Sequence, residues 1–226
     1  MTKEAFLKLA GGRFESDLSW KQMRASEKKK HFWAFYTQSA NAIGVYSGVP
    51  LDQLLMKDRY SIEHILPKSY LLEALRDQPL TVRNGATVNP FNLMPAHRKL
   101  NRLRGDAAFD FDGDAVVRQF QVNFRSVHND PIGYDADNQW KPPRKSRGDL
   151  ARAILYMGLC YSLFCRSRHN IEELIKWTRA DAPSKIEVAY CKWIESKMGI
   201  RNPFVLNPEL ATDNELREIL LAKQQS

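Results

Sequence analysis

The sequence lacks the features that identify secreted, membrane and metal-cluster proteins. It has only three cysteines, Cys160, Cys165 and Cys191, and no C-x-x-C spacing. An odd number without that spacing argues against a disulfide framework or a zinc cluster. No stretch approaches the roughly 20 apolar residues of a membrane span, and the N-terminal residues lack the apolar segment of a signal peptide. We therefore expect a cytoplasmic protein that does not bind membranes.

Internal repeats and low-complexity tracts are also missing, which excludes solenoid and disordered classes. The composition, 43% hydrophobic and 27% charged, is that of a soluble globular protein with enough apolar residues for a sizeable core. What the chain has in excess is positive charge, with a net charge of +8. This balance favours a polyanionic partner, nucleic acid first and an anionic membrane surface second.

The periodicity of apolar residues predicts a mainly helical chain with a few strands. A strand is expected at 59–66, and the segment 92–104 is expected to run from a loop into a short helix that starts at Pro95 and stops before Gly105. A turn is expected at Arg83-Asn84-Gly85, and an extended linker at 141–147. The other predicted helices span 19–48, 149–165 (capped by Asp149), 171–179, 184–199 and a last one opened at Thr212, with strand-like pieces at 115–120 and 121–127.

Two short runs contain the residue types that phosphodiester hydrolysis needs. Glu63 and His64 lie in the run 60–69, YSIEHILPKS, and Asn101 lies in the run 89–106, NPFNLMPAHRKLNRLRGD. A free imidazole has a pKa of about 6.5, so it can take a proton from water. A carboxylate and an amide oxygen suit a hard cation such as Mg²⁺. Each motif alone is weak evidence, because Glu-His pairs and single asparagines are usually structural or exposed.

The residues of these two runs can form one site only if their side chains point toward each other. Helical positions three and four apart share a face, so His97, Asn101 and Arg104 should line one side of the predicted helix and face the strand. Adjacent strand residues point to opposite faces, so Glu63 and His64 can serve one site only at a strand end. Pro67, just beyond them, predicts such an end.

Taken together, the two runs resemble the His-Me finger (ββα-metal, HNH-like) nucleases, and more narrowly the bacterial endonuclease I family. Residues 63–69 and 89–105 match that family's motifs in order and spacing, and the blocks 140–143, 147–157 and 200–210 are similar to its later blocks. The similarity covers roughly residues 45–210. Five blocks in the right order are a much more specific signal than the Glu-His pair.

The resemblance implies the roles of individual residues. His64 would be the general base, and Glu63 and Asn101 would bind Mg²⁺, with Mn²⁺ as a substitute. Asn92 would brace the finger or act directly in catalysis. An arginine on the scissile phosphate is also implied, with Arg83 and Arg76 as the two candidates.

Basic residues around these motifs predict a nucleic-acid surface. Such side chains neutralise phosphates and give affinity that depends on salt and not on sequence. For any one cluster of basic residues, including a further cluster at 28–30, the alternative to phosphate binding is a solvated basic face without a ligand. The predicted phosphate-contacting residues are Arg76, Arg98, Lys99, Arg102, Arg104, Arg144 and Lys145.

These observations predict an α+β fold: one mainly helical domain at 1–210 around a ββα-metal finger at about 59–106, followed by a helical tail at 211–226. The expected function is Mg²⁺-dependent hydrolysis of double-stranded DNA with little sequence specificity, including nicking. A cytoplasmic nuclease needs restraint, so a regulatory protein partner and a role in defence against phage or foreign DNA are hypotheses.

Two alternatives stay open at this point. Asn89 and Phe91 replace an acidic residue and a histidine that are common in the family's second run. A binding module with weak or lost catalysis would fit these replacements. An RNA nuclease is the other alternative, because the motifs do not distinguish DNA from RNA.

Overall fold

The computed structural model describes residues 1–56, 58–109, 118–119, 132–134, 137–163 and 170–222. Twelve α-helices of the described chain surround two small antiparallel sheets, which makes the fold α+β, as predicted. No helix in these ranges combines the length and the apolar character needed to cross a membrane. The helices are α1 Lys3–Leu9, α2 Ala25–Lys28, α3 Ala34–Tyr36, α4 Leu51–Met56, α5 Lys68–Ala74, α6 Leu80–Val88, α7 Arg98–Arg104, α8 Arg147–Tyr161, α9 Ile171–Ala180, α10 Lys185–Met198, α11 Pro203–Leu206 and α12 Asn214–Ala222.

Short helical turns and strands complete the described chain. A π-helical turn, Lys29–Trp33, joins α2 to α3, and 3₁₀ turns span Pro90–Asn92, Arg144–Ser146 and Pro208–Thr212. One sheet pairs β1 with β2, and the other has the order β3-β4-β5. The strands are β1 Tyr60–His64, β2 Leu93–His97, β3 Arg118–Gln119, β4 Gly133–Tyr134 and β5 Trp140–Lys141.

Helix α8 is the centre of the core, as its sequence predicts. Thirteen of its fifteen residues are buried, so neighbouring elements must cover it on every side. It packs against α9, α1, α6, α11 and the Pro90–Asn92 turn. At its start, Gly148 lets the chain at Asp181 come close: an added Cβ would lie 2.1 Å from the Asp181 carbonyl oxygen.

A buried arginine ties α8 to its neighbours. Arg152 is fully buried, and its guanidinium forms two hydrogen bonds to Glu187 on α10, at 2.8 and 2.7 Å. It also donates to the Asp149 carboxylate at 2.7 Å and to the Asp181 carbonyl at 2.6 Å. Burial and the neighbouring Glu187 raise the pKa of Asp149, against the charge of Arg152. One guanidinium therefore serves two carboxylates and one backbone carbonyl.

Several predicted elements match the described structure. The strand at 59–66 is β1, the helix at 171–179 is α9, and the Ser184 hydroxyl caps α10 by accepting from the Glu187 N–H at 3.1 Å. Gly199 ends that helix in the left-handed conformation, with φ 70°. The strand-like pieces at 115–127 lie outside the described residues except for 118–119.

Other predictions were wrong in their boundaries. The helix expected at 19–48 is helical only from 25 to 36, and the turn expected at Arg83-Asn84-Gly85 lies inside α6. Gly85 is needed there for close packing, because a Cβ would lie 2.4 Å from the Phe14 carbonyl oxygen. Pro95 lies in β2 and not at a helix start, which a two-stranded sheet tolerates because both strands are edges.

The C-terminal half needs similar corrections. The expected linker at 141–147 contains β5 and a 3₁₀ turn, and its Lys141 is buried. Asp149 lies in the first turn of α8, whose N-cap is Ser146, and α8 ends at Tyr161. The last helix starts at Asn214, with the Asp213 carboxylate accepting from the Leu216 N–H at 3.0 Å. Because Leu216 and Leu220 join the main core, the predicted tail packs on the domain as far as residue 222.

We predict that Arg152→Leu is strongly destabilising. Removing the buried guanidinium leaves the partly buried carboxylates of Asp149 and Glu187 unpaired, a change that costs about 3–5 kcal/mol of unfolding free energy. The control is Arg217→Leu, which removes an exposed ion pair with Glu172 and should cost under about 1 kcal/mol. Urea denaturation measures both. Equal losses for the two variants would contradict the structural role given to Arg152.

Candidate active site

The predicted motifs meet in a unit of two strands and a helix. Strands β1 and β2 pair antiparallel, with Tyr60 opposite His97 and His64 opposite Leu93. Helix α7 follows β2 directly and packs across β1. His97 caps this helix, its Nδ1 accepting from the Lys99 N–H at 3.2 Å, and Gly105 ends it with φ 54°, as predicted.

Glu63 lies in the interior, between α7 and the loop before α4. Its side chain is 2% exposed and its Oε1 accepts from the Tyr46 hydroxyl at 2.8 Å and from the Arg104 guanidinium. Burial raises the pKa of Glu63, against the opposing charge of Arg104. Both hydrogen bonds go to Oε1, so Oε2 is the carboxylate oxygen that the described residues leave for another ligand.

Arg104 corrects one prediction. It was assigned to the nucleic-acid surface, but it is 1% exposed and its guanidinium is used internally. Besides pairing with Glu63, it donates to the carbonyl oxygens of His64 at 3.0 Å and Ile65 at 2.9 Å. The sequence did not reveal this role, because an arginine on a short basic helix is normally exposed.

Asn101 lies one turn before Arg104 and also faces β1, as the helical spacing predicts. Its amide nitrogen donates to the Ile62 carbonyl at 2.9 Å and to the Ser61 hydroxyl at 3.1 Å. Ser61 and Glu63 are two residues apart and therefore share a face of the strand. The structure thus brings Asn101 and Glu63 to one side of β1, with the Asn101 Oδ1 left without a hydrogen bond among the described residues.

His64 is the last residue of β1 and points to the other side of the strand. The ring lies edge-on to Trp20, with centroids 4.7 Å apart and planes at 88°. Burial, reinforced by the charge of Lys68, lowers the pKa of His64 to about 3, against a hydrogen bond with the backbone of Thr87 that raises it. The imidazole is therefore neutral at physiological pH, and its Nε2 has no hydrogen-bond partner among the described residues.

Asn92 braces the turn after His64, one of the two roles predicted for it. Its side-chain amide accepts from the Leu66 N–H at 2.8 Å and donates to the Leu66 carbonyl at 3.0 Å. The residue is fully buried, and both its amide oxygen and its amide nitrogen bond to Leu66, which gives it a bracing role.

The unusual residues of the second run contact helix α8. The Asn89 side chain donates to the Tyr161 hydroxyl at 3.1 Å and accepts from the Phe91 N–H at 3.0 Å. The Phe91 ring packs on Tyr156, with centroids 5.0 Å apart. These replacements thus dock the second run on the core helix.

The two arginine candidates for the phosphate differ in their surroundings. Arg76 is 58% exposed and pairs with Glu73 and Asp77. Arg83 is partly buried on α6, one turn before Thr87, and its Nε has no partner among the described residues. Since Thr87 contacts His64, the face of α6 that presents Arg83 is the one nearer the imidazole.

The remaining predicted phosphate contacts are exposed. On α7, Arg98 is 50% exposed and pairs with Asp58, while Lys99 and Arg102 are exposed beside it. Arg144 and Lys145 are exposed on the 3₁₀ turn before α8. Lys145 also lines a cavity of about 450 Å³ together with Asp149, Asp181 and Glu187, so its surroundings are acidic.

Three residues next to His64 were missed as site residues: Trp20, Lys28 and Lys68. Lys28 was noted only as part of a basic cluster, although its ammonium lies 4.5 Å from the Trp20 ring centroid. Lys68 follows the Glu-His pair within the same run and could have been found by that proximity. Trp20 carries no sequence signal, because it reaches His64 only through the fold.

The described residues contain no group of three or more His, Cys, Asp or Glu side chains arranged to hold a metal ion. A site built from one carboxylate and one amide oxygen has too few such residues to form this kind of group. The Glu63 and Asn101 pair is therefore judged by its own geometry.

We predict that Asn92→Ala destabilises the protein by about 2–4 kcal/mol, because the buried N–H and C=O of Leu66 both lose their partner. The control is Gln53→Ala, an exposed change on α4 that should stay within about 0.5 kcal/mol. Thermal and urea unfolding measure both variants. A loss at Asn92 as small as that of the control would refute the bracing role.

Comparison with known proteins agrees with this geometry. A family model described as Endonuclease I matches residues 15–209, which includes both motifs and all the later blocks. No curated protein matches the chain significantly. Because the match covers most of the sequence and contains the ββα unit with its Glu-His pair and helical asparagine, the chain belongs to the endonuclease I family.

Proposed function

We propose that this nuclease is a divalent-metal-dependent endonuclease that hydrolyses double-stranded DNA with little sequence specificity, and that β1, β2 and α7 form its ββα-metal finger. The observation that carries the proposal is His64: a neutral imidazole with an unpartnered nitrogen, one residue from Glu63 and across the strand from Asn101. This combination is what phosphodiester hydrolysis requires.

His64 is the general base of the proposed reaction. Its lowered pKa keeps the imidazole unprotonated, and the Trp20 contact and the Thr87 backbone hold the ring in place. A nitrogen without a partner can accept the proton of a water molecule that attacks phosphorus. Since His64 is the last residue of β1, a phosphodiester lying across that strand end can reach groups on both sides of the strand.

Glu63 and Asn101 fit a hard cation through their oxygen atoms. The Glu63 Oε2 and the Asn101 Oδ1 are the oxygens that the described hydrogen bonds leave unused, and oxygen ligands are those that Mg²⁺ and Mn²⁺ accept. When bound, the cation would supply positive charge that stabilises the phosphate oxygens as the bond breaks. The Asn101 amide nitrogen, fixed by the Ile62 carbonyl, sets the direction of its oxygen.

Arg104 modifies this site. Its guanidinium is paired with Glu63, so it offsets part of the negative charge that attracts a cation. We infer that the ion is bound weakly in the free protein and more tightly when the substrate phosphate completes its ligands. Mg²⁺ sites formed by one or two protein ligands plus phosphates and water work in this way.

Arg83 is the better candidate for the arginine on the scissile phosphate. It lies on the α6 face near His64 with an unpartnered Nε, whereas Arg76 is exposed and paired with two carboxylates. Arg98, Lys99 and Arg102 extend the positive surface along α7. Arg144 and Lys145 provide further positive charge on another turn. Contacts of this kind bind phosphates without reading bases.

We predict that His64→Ala lowers the rate of supercoiled-plasmid cleavage by about 100-fold or more, because general-base catalysis typically contributes 10²–10⁴. The assay follows conversion of the plasmid to nicked and linear forms in Mg²⁺. His31→Ala is the control. The charged residues that affect the pKa of His31, Lys30 and Glu27, belong to its own helical segment and not to the candidate site. Cleavage by His64→Ala at the wild-type rate would refute the assignment of His64 as the general base.

We predict that a chelator abolishes cleavage and that added Mg²⁺ restores it. Asn101→Ala should need on the order of tenfold more Mg²⁺ for half-maximal rate, because it removes one ligand oxygen. Asn214→Ala, an exposed change at the start of α12, is the control and should keep the wild-type requirement. An unchanged Mg²⁺ dependence in Asn101→Ala would exclude the amide as a ligand.

A second function, DNA binding with weak or no catalysis, is favoured by one observation. The Glu63–Arg104 ion pair occupies the carboxylate that the cation would need. A protein of this kind would bind DNA in a salt-dependent manner and leave plasmid intact in both Mg²⁺ and Mn²⁺. Matched DNA and RNA substrates in the same assay separate DNA cleavage from RNA cleavage.

A further inference from the structure

Trp20 organises two lysines around the proposed base. Its indole contacts His64 edge-on, and its backbone N–H donates to the Thr87 hydroxyl at 3.4 Å. The Lys28 ammonium lies 4.5 Å from the Trp20 ring centroid, and the Lys68 ammonium lies 5.9 Å from it. A residue from the loop before α2 thus joins lysines on α2 and α5 to the end of β1.

The two lysines share one indole ring and lack an ion pair within the described chain. Neither forms an ion pair with any residue that the structure describes, although both are only partly exposed. Burial lowers the pKa of Lys68, and the charges of Lys28 and Lys21 lower it further, so these ammonium groups repel one another. Asp106, which has the opposite effect, receives a hydrogen bond from Ser69 at 2.6 Å.

A purely structural role does not explain this arrangement. One cation–π contact stabilises by about 0.5–1 kcal/mol at an exposed site. A second ammonium beside the first adds repulsion, which grows as the groups leave bulk water. An anion near both lysines would be attracted by each of them and would offset their mutual repulsion. In the proposed reaction, the anion that comes close to His64 is a phosphate of the nucleic acid.

We propose that Lys28 and Lys68 bind a backbone phosphate of the nucleic acid beside His64, and that Trp20 is the positioning residue that holds both ammonium groups there. The inference rests on the proposed function and adds a phosphate-binding pair to it. The sequence places Lys28 in a basic cluster at 28–30, and the fold brings it to the same indole as Lys68, from which 40 residues separate it in the sequence.

The test measures DNA binding without cleavage. In a His64→Ala background with chelator, fluorescence anisotropy of a labelled DNA duplex gives the slope of log K against log salt. Each phosphate contact contributes about 0.9 to that slope, so Lys28→Gln and Lys68→Gln should each reduce its magnitude by about 1. Lys197→Gln, which removes one exposed charge from the last turn of α10, should leave the slope unchanged.

Trp20 variants separate positioning from general structure. Trp20→Phe keeps an aromatic face and should retain the wild-type slope, whereas Trp20→Leu should lose about as much as Lys28→Gln. Adding Lys28→Gln to Trp20→Leu should then cost little more, because the two residues act through one contact. Thermal unfolding of every variant confirms that it is folded.

The outcomes distinguish this inference from the proposed function. Slopes for Lys28→Gln and Lys68→Gln that equal that of Lys197→Gln would overturn the inference, even if the wild-type protein cleaves plasmid. Reduced slopes in a protein that never cleaves would support the phosphate-binding pair and refute the nuclease activity. A Trp20→Phe variant as weak as Trp20→Leu would refute the positioning role.

Discussion

The guanidinium of Arg104 holds the end of β1 in place, and the geometry of the site depends on it. It crosses from α7 to bind the Glu63 carboxylate and the carbonyl oxygens of His64 and Ile65. These three residues are consecutive, so a single side chain fixes the Glu63 carboxylate, the backbone of His64 and the turn that follows. Asn92 holds the next residue, Leu66, through both of its amide groups. The strand end is therefore rigid before any ligand arrives.

These contacts keep the two proposed functions, cation binding and proton transfer, on opposite sides of β1. Glu63 and Asn101 lie on the side of β1 that faces α7, while His64 lies on the side that faces Trp20 and α6. The first side provides oxygen atoms and the second a neutral nitrogen. The proposed general base, His64, can accept a proton only while its imidazole is unprotonated. The positive charges of Lys68 and Lys28 lower its pKa and so favour that state. The same positive charges also favour a phosphate, so one electrostatic feature serves both needs.

Much of this site follows from the sequence, and the missing parts have a common cause. The strand, the helical spacing of Asn101 and Arg104, and the stop at Gly105 depend on local patterns, and all are found. Pro95 and the Arg83-Asn84-Gly85 turn were misjudged because packing overrides local preference: a two-stranded sheet accepts a proline, and α6 accepts a glycine where Phe14 packs close. Trp20, and the position of Lys28 beside it, could not be found, because no local pattern indicates which surface a distant loop covers.

The basic residues must be sorted by burial and by carboxylate partner before the positive net charge supports any functional argument. Arg104 and Arg152 are fully buried, and each neutralises carboxylates inside the fold. Exposed arginines such as Arg98 and Arg76 already have carboxylate partners. Lys28 and Lys68 differ from these arginines, since the described structure gives them an aromatic ring in common and no ion pair with a carboxylate, although the charge of Asp106 acts on Lys68 from nearby. Net charge alone would rank every basic residue equally. The ion pairs of the arginines and the shared indole of the two lysines separate these residues, and that difference is the basis for proposing a phosphate contact beside His64.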